Sequence, residues 1–168
     1  GGARQREQLR GVRRIAVPGC YPTAVSLAMA PGLTAGLLGH DVVVVAASGT
    51  SGAGRTAKPS LLGSEVMGSM SPYAVGGVHR HIPEMEQNLS SAAGHSVKVS
   101  FTPTLAPMAR GILATCSAPL RAQNAEVAAI RSAWVEAYAD EPFIHVLPEG
   151  TWPRTAYVLG ANEFHLQV

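Results

Sequence analysis

The stretch Val17-Pro18-Gly19-Cys20-Tyr21-Pro22-Thr23-Ala24 decides how this chain is read. Gly11–Val17, leading into it, has the apolar content of a short strand. Pro22 suits the first turn of a helix, where its missing N–H leaves nothing unpaired that was not already so. That helix is expected to run to about Ala30, where Pro31-Gly32 stops it. Cys20 then sits where a helix begins. Unpaired N–H groups and the positive end of the helix dipole favour an anion there, and cysteine is nucleophilic as its thiolate. Gly19 permits close approach of a substrate to the backbone. Thr23 can offer its hydroxyl or N–H to a developing oxyanion. A lone cysteine is more often a small core side chain, so the assignment needs support from elsewhere in the chain.

Support comes from His79-Arg80-His81-Ile82-Pro83-Glu84. On an extended segment His79 and His81 face the same side. One can exchange a proton with Cys20 and the other can bind substrate. Glu84, near the start of the next helix, can orient a ring or hold a polar group. A metal pair is the rival reading, but with Cys20 and Glu84 as further ligands no spacing resembles a structural zinc set. No metal is expected. His40, His95, His145 and His165 lack such a context and read as structural. Ser48-Gly49-Thr50-Ser51-Gly52-Ala53-Gly54-Arg55 follows a buried strand, and small residues with free N–H groups suit an anion. Its glycine spacing matches neither a Walker loop nor the dinucleotide fingerprint. Arg110 can meet a carboxylate bidentately or form a surface ion pair. Cys116 lies within the strand pattern Gly111–Ser117 and reads as buried and inert.

The other elements set the class. Val42–Ser48, Val97–Phe101, Phe143–Leu147, Thr155–Leu159 and Glu163–Val168 read as strands, and Pro59–Met70 as weakly helical. Pro83–Ala93 reads as a helix ending before Gly94. Asn124–Ala139 is the clearest helix, capped by Asn124, with Val127, Ile130, Trp134 and Tyr138 on one face. Several strands follow one another without a helix between them, so an α+β fold with a mixed or antiparallel sheet is expected. The length, 168 residues, suits one domain. With 46% apolar and 14% charged residues the chain is globular. A net charge of +2 and 5% aromatic residues do not fit nucleic-acid binding. No apolar run reaches the length of a membrane span. No export signal is evident, so both cysteines are expected as free thiols and the compartment as cytoplasmic. Both ends read as cut, and residues 1–168 are expected to be one domain of a longer chain.

Three segments carry a family resemblance. Ile15-Ala16-Val17-Pro18-Gly19-Cys20-Tyr21-Pro22-Thr23-Ala24 through Ala28-Met29-Ala30-Pro31 resembles the active-site signature of N-acetyl-γ-glutamyl-phosphate reductases. The glycine, cysteine, aromatic, threonine and final proline fall in register. His79–Glu84 resembles the family's second motif and Ser48–Gly54 its glycine-rich loop, in the same order. The resemblance implies a glyceraldehyde-3-phosphate-dehydrogenase-like catalytic domain, a sheet covered by helices that also forms a dimer or tetramer. It implies NADPH-dependent reduction of N-acetyl-γ-glutamyl phosphate in arginine biosynthesis. Cys20 would be the nucleophile and His79 the acid/base. Ser48, Tyr73, His81 and Glu84 would surround the acyl phosphate substrate, with Arg110 on its carboxylate. Pro22, Gly49, Ser51 and Gly52 would touch NADP(H). The dinucleotide fingerprint is absent, so the chain resembles the catalytic and dimerisation domain alone, and hydride transfer by it unaided is not expected. Alternatives are an aspartate-semialdehyde dehydrogenase, a thiol hydrolase and a non-catalytic dimerisation module.

Overall fold

A computed structural model describes residues 6–121 and 126–168. Helix α1 spans Cys20–Thr34 and strand β1 Asp41–Ser48. Two 3-10 turns, Thr50–Ala53 and Pro59–Leu61, lead to the single-turn helix α2, Gly63–Val66, and the short strand β2, Ser71–Pro72. Helix α3 (Ile82–Ala93) precedes β3 (Lys98–Leu105) and β4 (Ile112–Ser117). Helix α4 (Val127–Ala137), β5 (Ile144–Val146), a 3-10 turn at Thr155–Val158 and β6 (Phe164–Leu166) complete the chain.

The principal sheet has the order β2-β3-β1-β4. β1 runs parallel to β3 and antiparallel to β4, and β2 runs antiparallel to β3. The sheet is therefore mixed and the class α+β, as expected. Alternation along the strands sends Val42, Val44 and Ala46 of β1 and Val99 and Phe101 of β3 into the core. There they meet Tyr21, Val25, Met29 and Leu33 of α1, one stripe at every fourth residue, and Ile82, Met85 and Leu89 of α3. Val43, Val45 and Leu113 are 50%, 49% and 44% exposed on the opposite face. Among the described residues, helices thus cover one side of this sheet only. β5 and β6 form a separate two-stranded parallel ladder.

Four local readings are corrected. Gly11–Val17 is not a strand: it has no ladder partner, and Val17 is exposed. Thr155–Leu159 is not a strand either. A Tyr157 N–H to Arg154 carbonyl bond of 3.0 Å closes a 3-10 turn there instead. Val127 begins α4 but is exposed, so the buried face of that helix centres on Trp134; its proposed cap, Asn124, lies outside the described residues. Finally, α1 does not stop at Pro31. A proline inside a helix removes the hydrogen bond to the carbonyl four residues back, here that of Leu27. The Tyr138 hydroxyl donates to that carbonyl at 2.5 Å, and Trp134 Nε1 donates to the Ala28 carbonyl at 2.7 Å. The end of α4 thus supplies a donor to the acceptor that the proline leaves free.

β3 also runs past its expected end, through Pro103. The Pro103 carbonyl accepts from Tyr73 N–H at 3.1 Å, so its missing N–H points to the side that only the two-residue β2 borders. A proline is tolerated at such an edge.

Tyr138→Phe leaves the Leu27 carbonyl without its donor. It is expected to lower stability by about 1–2 kcal/mol, read from the denaturant midpoint. An unchanged midpoint would show that α1 tolerates Pro31 without this bond.

Candidate active site

Cys20 is the first residue of α1 and is solvent-exposed. Thr23 is not free to serve an oxyanion: its N–H and its Oγ1 both bind the Gly19 carbonyl at 2.9 Å. Pro22 has no N–H to give. The amides of Cys20 and Tyr21 have no acceptor among the described residues, and they are the donors that remain at this helix start.

A tether from α3 fixes the position of this turn. Glu84 Oε1 accepts from Gly19 N–H at 3.0 Å. The approach is close enough to demand glycine: a Cβ at Gly19 would lie 2.8 Å from His81 Nε2 and 3.0 Å from Glu84 Oε2. Gly19 has an ordinary extended backbone, so space rather than conformation selects it. Glu84 does not line the cleft that Cys20 faces. Its carboxylate holds the residue before α1; of the two expectations, orienting a ring or holding a polar group, the bond to the Gly19 amide is of the second kind.

Tyr21, to which the sequence reading gave no role of its own, is the hub of the site. Its buried ring meets Phe101, His79 and His81 edge-on at centroid distances of 4.8, 5.5 and 6.0 Å. Its hydroxyl lies 2.8 Å from that of Tyr73. His79, only 8% exposed, is held between Tyr21, Tyr73, His81 and Phe101. His81 N–H donates to His79 Nδ1 at 3.1 Å. Nδ1 is therefore an acceptor, and the neutral ring carries its proton on Nε2. Burial, then His81, then Arg80 hold the His79 pKa below the usual histidine value. Burial and Arg80 lower that of His81, against an opposing pull from Glu84.

Cys20, Ser48, Tyr73, His79, His81 and Arg110 line one open cleft of about 1780 Å³. Gly49, Ser51 and Gly52 line it too, but the anion cradle expected there is not formed. Gly49 N–H binds the Gly111 carbonyl at 3.0 Å, Thr50 N–H that of Met108 at 2.9 Å and Ser51 N–H that of Ala109 at 3.0 Å. Gly52 and Gly54 N–H groups bond within the turn. These amides brace the 106–111 loop and leave a wall, with open space at Gly52 where a side chain would stand. Pro22 is fully buried and lies away from the cleft, so it offers a cofactor no surface. Arg110 is exposed and has no ion pair among the described residues, which leaves its guanidinium available to an anionic ligand. Both cysteines are free thiols. Cys116 is half-buried in β4, and burial pushes its thiol up to about 11.

Residues 20–168 match the profile described as semialdehyde dehydrogenase, dimerisation domain. The chain belongs to this family. It is 66% identical over 163 residues to a protein of Saccharopolyspora erythraea named N-acetyl-gamma-glutamyl-phosphate reductase, covering 97% of this chain and 47% of that one. The chain spans about half the length of the curated relatives it matches. In structure it resembles a probable aspartate-semialdehyde dehydrogenase of Pseudomonas aeruginosa, with a TM-score of 0.67 and 16% identity over 97% of this chain and 54% of that one. It also resembles the Candida albicans aspartate-semialdehyde dehydrogenase, a structure determined with NADP, at a TM-score of 0.59 and 15% identity, over 84% of this chain and 43% of that one. At such identities the likeness speaks for the fold, and it bears out the glyceraldehyde-3-phosphate-dehydrogenase-like catalytic domain.

Two outcomes follow for the domain. With a thiol-alkylating reagent at neutral pH, Cys20 is expected to react rapidly and Cys116 slowly, because Cys116 has little thiolate there; mass spectrometry of the two tryptic peptides separates them. The lowered histidine values also make stability depend on pH. The unfolded chain takes up protons near the ordinary histidine value of about 6.5 while folded His79 and His81 resist them. Stability should therefore be full above about pH 6.5 and fall as pH drops through the lowered folded values. His79→Gln combined with His81→Gln should flatten that acid slope, and an unaltered slope would assign it to other groups.

Proposed function

We propose that this chain is the catalytic and dimerisation domain of an N-acetyl-γ-glutamyl-phosphate reductase. The enzyme reduces the acyl phosphate with NADPH to N-acetylglutamate 5-semialdehyde and phosphate through a Cys20 thioester, a cytoplasmic step of arginine biosynthesis. The observation that carries the reading is an exposed thiol at the start of α1, sharing a cleft with a buried histidine whose proton is confined to Nε2. Identity of 66% along nearly the whole chain favours this substrate over aspartyl phosphate.

The chemistry divides into a substitution and a reduction. Cys20 Sγ attacks the acyl carbon, forming the C–S bond. The C–O bond to phosphate breaks, and phosphate leaves with the electron pair and takes up one proton. Arg110, a cleft cation without an ion pair among the described residues, holds the substrate's carboxylate. NADP(H), when bound, supplies hydride to the thioester carbon, with Gly49, Ser51 and Gly52 as a wall against its ring. The resulting oxyanion re-forms the carbonyl and expels the Cys20 thiolate, releasing the aldehyde. Both tetrahedral stages need an oxyanion stabilised and no proton placed on that oxygen. The Cys20 N–H and the His79 Nε2–H are donors suited to this. Occupation of Nδ1 makes His79 a neutral donor rather than a base. His81 and Tyr73 complete the substrate's surroundings.

Association would use the open face of the principal sheet. Val43, Val45 and Leu113 are exposed together on adjacent strands, and the matched family is described as a dimerisation domain. The partner is a second copy, through pairing of the two faces.

The whole enzyme decides the reading by phosphate-dependent oxidation of N-acetylglutamate semialdehyde with NADP. Cys20→Ser should abolish it, and turnover of aspartate semialdehyde in its place would sink the assignment. Efficient NADPH oxidation by the 168-residue chain alone would show that no further domain is needed. His79→Ala should cost about 10²–10³ in kcat. His79→Gln places an amide N–H near Nε2 and should recover most of that loss. A glutamine no better than alanine would return His79 to proton transfer.

A further inference from the structure

His145, Glu163 and His165 lie outside the residues that the thioester chemistry uses, and they converge. The parallel β5–β6 ladder places His145 directly opposite His165. Their ring centroids are 5.2 Å apart and the planes nearly perpendicular. Glu163, just before β6, brings Oε2 to 3.2 Å from His165 Nε2 and 4.0 Å from His145 Nε2. All three ligand-capable atoms lie within 4.8 Å of one another.

These separations suit a shared cation. With metal–ligand bonds of about 2.0–2.2 Å, neighbouring donors of a tetrahedral site stand roughly 3.3–3.5 Å apart. Of the three pairs, Glu163–His165 is already near that spacing, and the two that include His145 need a rotation of that exposed side chain. The His165 ring is mostly buried, and its Nδ1 has no hydrogen-bond partner. Packing therefore fixes this ring with Nε2 as its working edge. Glu163 has no lysine or arginine beside it among the described residues; its ion-pair contacts are the two histidines. A carboxylate facing two imidazole nitrogens lacks a permanent counter-charge, and a divalent ion supplies one.

The site also has a mechanical consequence. β5 and β6 are three residues each and form a sheet of two strands, too small to be stable by itself. A bond across His145 and His165 would close the 147–162 connection at its base. Two imidazoles and one carboxylate suit zinc, cobalt(II) or nickel(II), and not magnesium or calcium, which take oxygen donors. We propose that His145, Glu163 and His165 form a binding site for a first-row divalent cation of the zinc type, which clamps β5 to β6.

Cobalt(II) titration of the chelator-stripped 168-residue chain tests this, because cobalt reports its ligands. One equivalent is expected to bind, with d–d bands of a nitrogen–oxygen site and no thiolate-to-metal charge-transfer band. Zinc should displace it and raise the melting temperature. His145→Ala removes an exposed side chain, and Glu163→Gln conserves shape; each should keep the native circular dichroism and weaken binding at least tenfold (a first-ligand loss is at least as large as the about 10–100-fold seen for outer partners). Cys20→Ser should bind as the parent does. Absence of binding by the folded parent chain overturns the proposal. So does binding that survives both variants, or a charge-transfer band that disappears with Cys20→Ser.

Discussion

The Gly19–Glu84 hydrogen bond joins the starts of two helices, and the arrangement of the candidate site depends on it. Helix α1 presents Cys20 and helix α3 follows directly on His79 and His81. The carboxylate of the first turn of α3 reaches across to the residue before α1, where a carboxylate also suits the positive ends of both helix dipoles. The contact is possible because residue 19 has no side chain, since His81 Nε2 and Glu84 Oε2 already fill the space a Cβ would need. One small residue thus lets the start of α1 close against His81 and Glu84.

Behind this junction the sheet and α4 set the depth of the site. Tyr21 stands at the top of the α1 stripe that continues through Val25, Met29 and Leu33. Its ring is at once the first core residue of α1 and the floor beneath His79 and His81. Hydrophobic burial of α1 therefore also orients the histidines. α4 adds to this by supplying hydrogen bonds to the carbonyls of Leu27 and Ala28 where the proline interrupts the helix. The full length of α1 can then lie on the sheet, carrying Cys20 at one end.

Much of this was legible in the sequence, and the limits have physical causes. Cys20, His79 and His81 could be singled out from residue type and a proline-started helix, but His79–His81 lies in the turn that starts α3 and not on the extended segment expected. The role of Glu84 could be narrowed only by the structure, since its partner is a backbone amide 65 positions away in sequence. Thr23 and the 49–52 loop misled for the same reason. A free N–H is a three-dimensional property, and these were taken by the Gly19 carbonyl and by the 106–111 loop. Pro31 looked like a stop because a proline breaks a helix unless another donor arrives, and Tyr138 lies 111 positions from Leu27. His145 and His165 looked unrelated because only strand pairing makes them neighbours.

The distribution of polar and apolar surface explains why such a domain keeps one sheet face bare. α1 and α3 cover one face of the sheet, and their N-termini meet at the Gly19–Glu84 contact. The opposite face alternates Val43 and Val45 with core residues on a central strand, where β-branched side chains are favoured whatever they face. A patch of exposed valine and leucine on a sheet is costly in water and marks an interface. Under the proposed association, a second copy covers this patch without a further helix. The rigidity gained by the sheet is passed to α1 and α3 through the shared core. The edge strand β4 contributes to both faces of the sheet. Its Ile112, Ala114 and Cys116 pack against the core while Leu113 points outward. Cys116, with its thiol held protonated by that packing, is a core residue in a chain whose other cysteine stays exposed at a helix start. The difference between the two thiols lies in their surroundings, burial within β4 for one and an open helix N-terminus for the other.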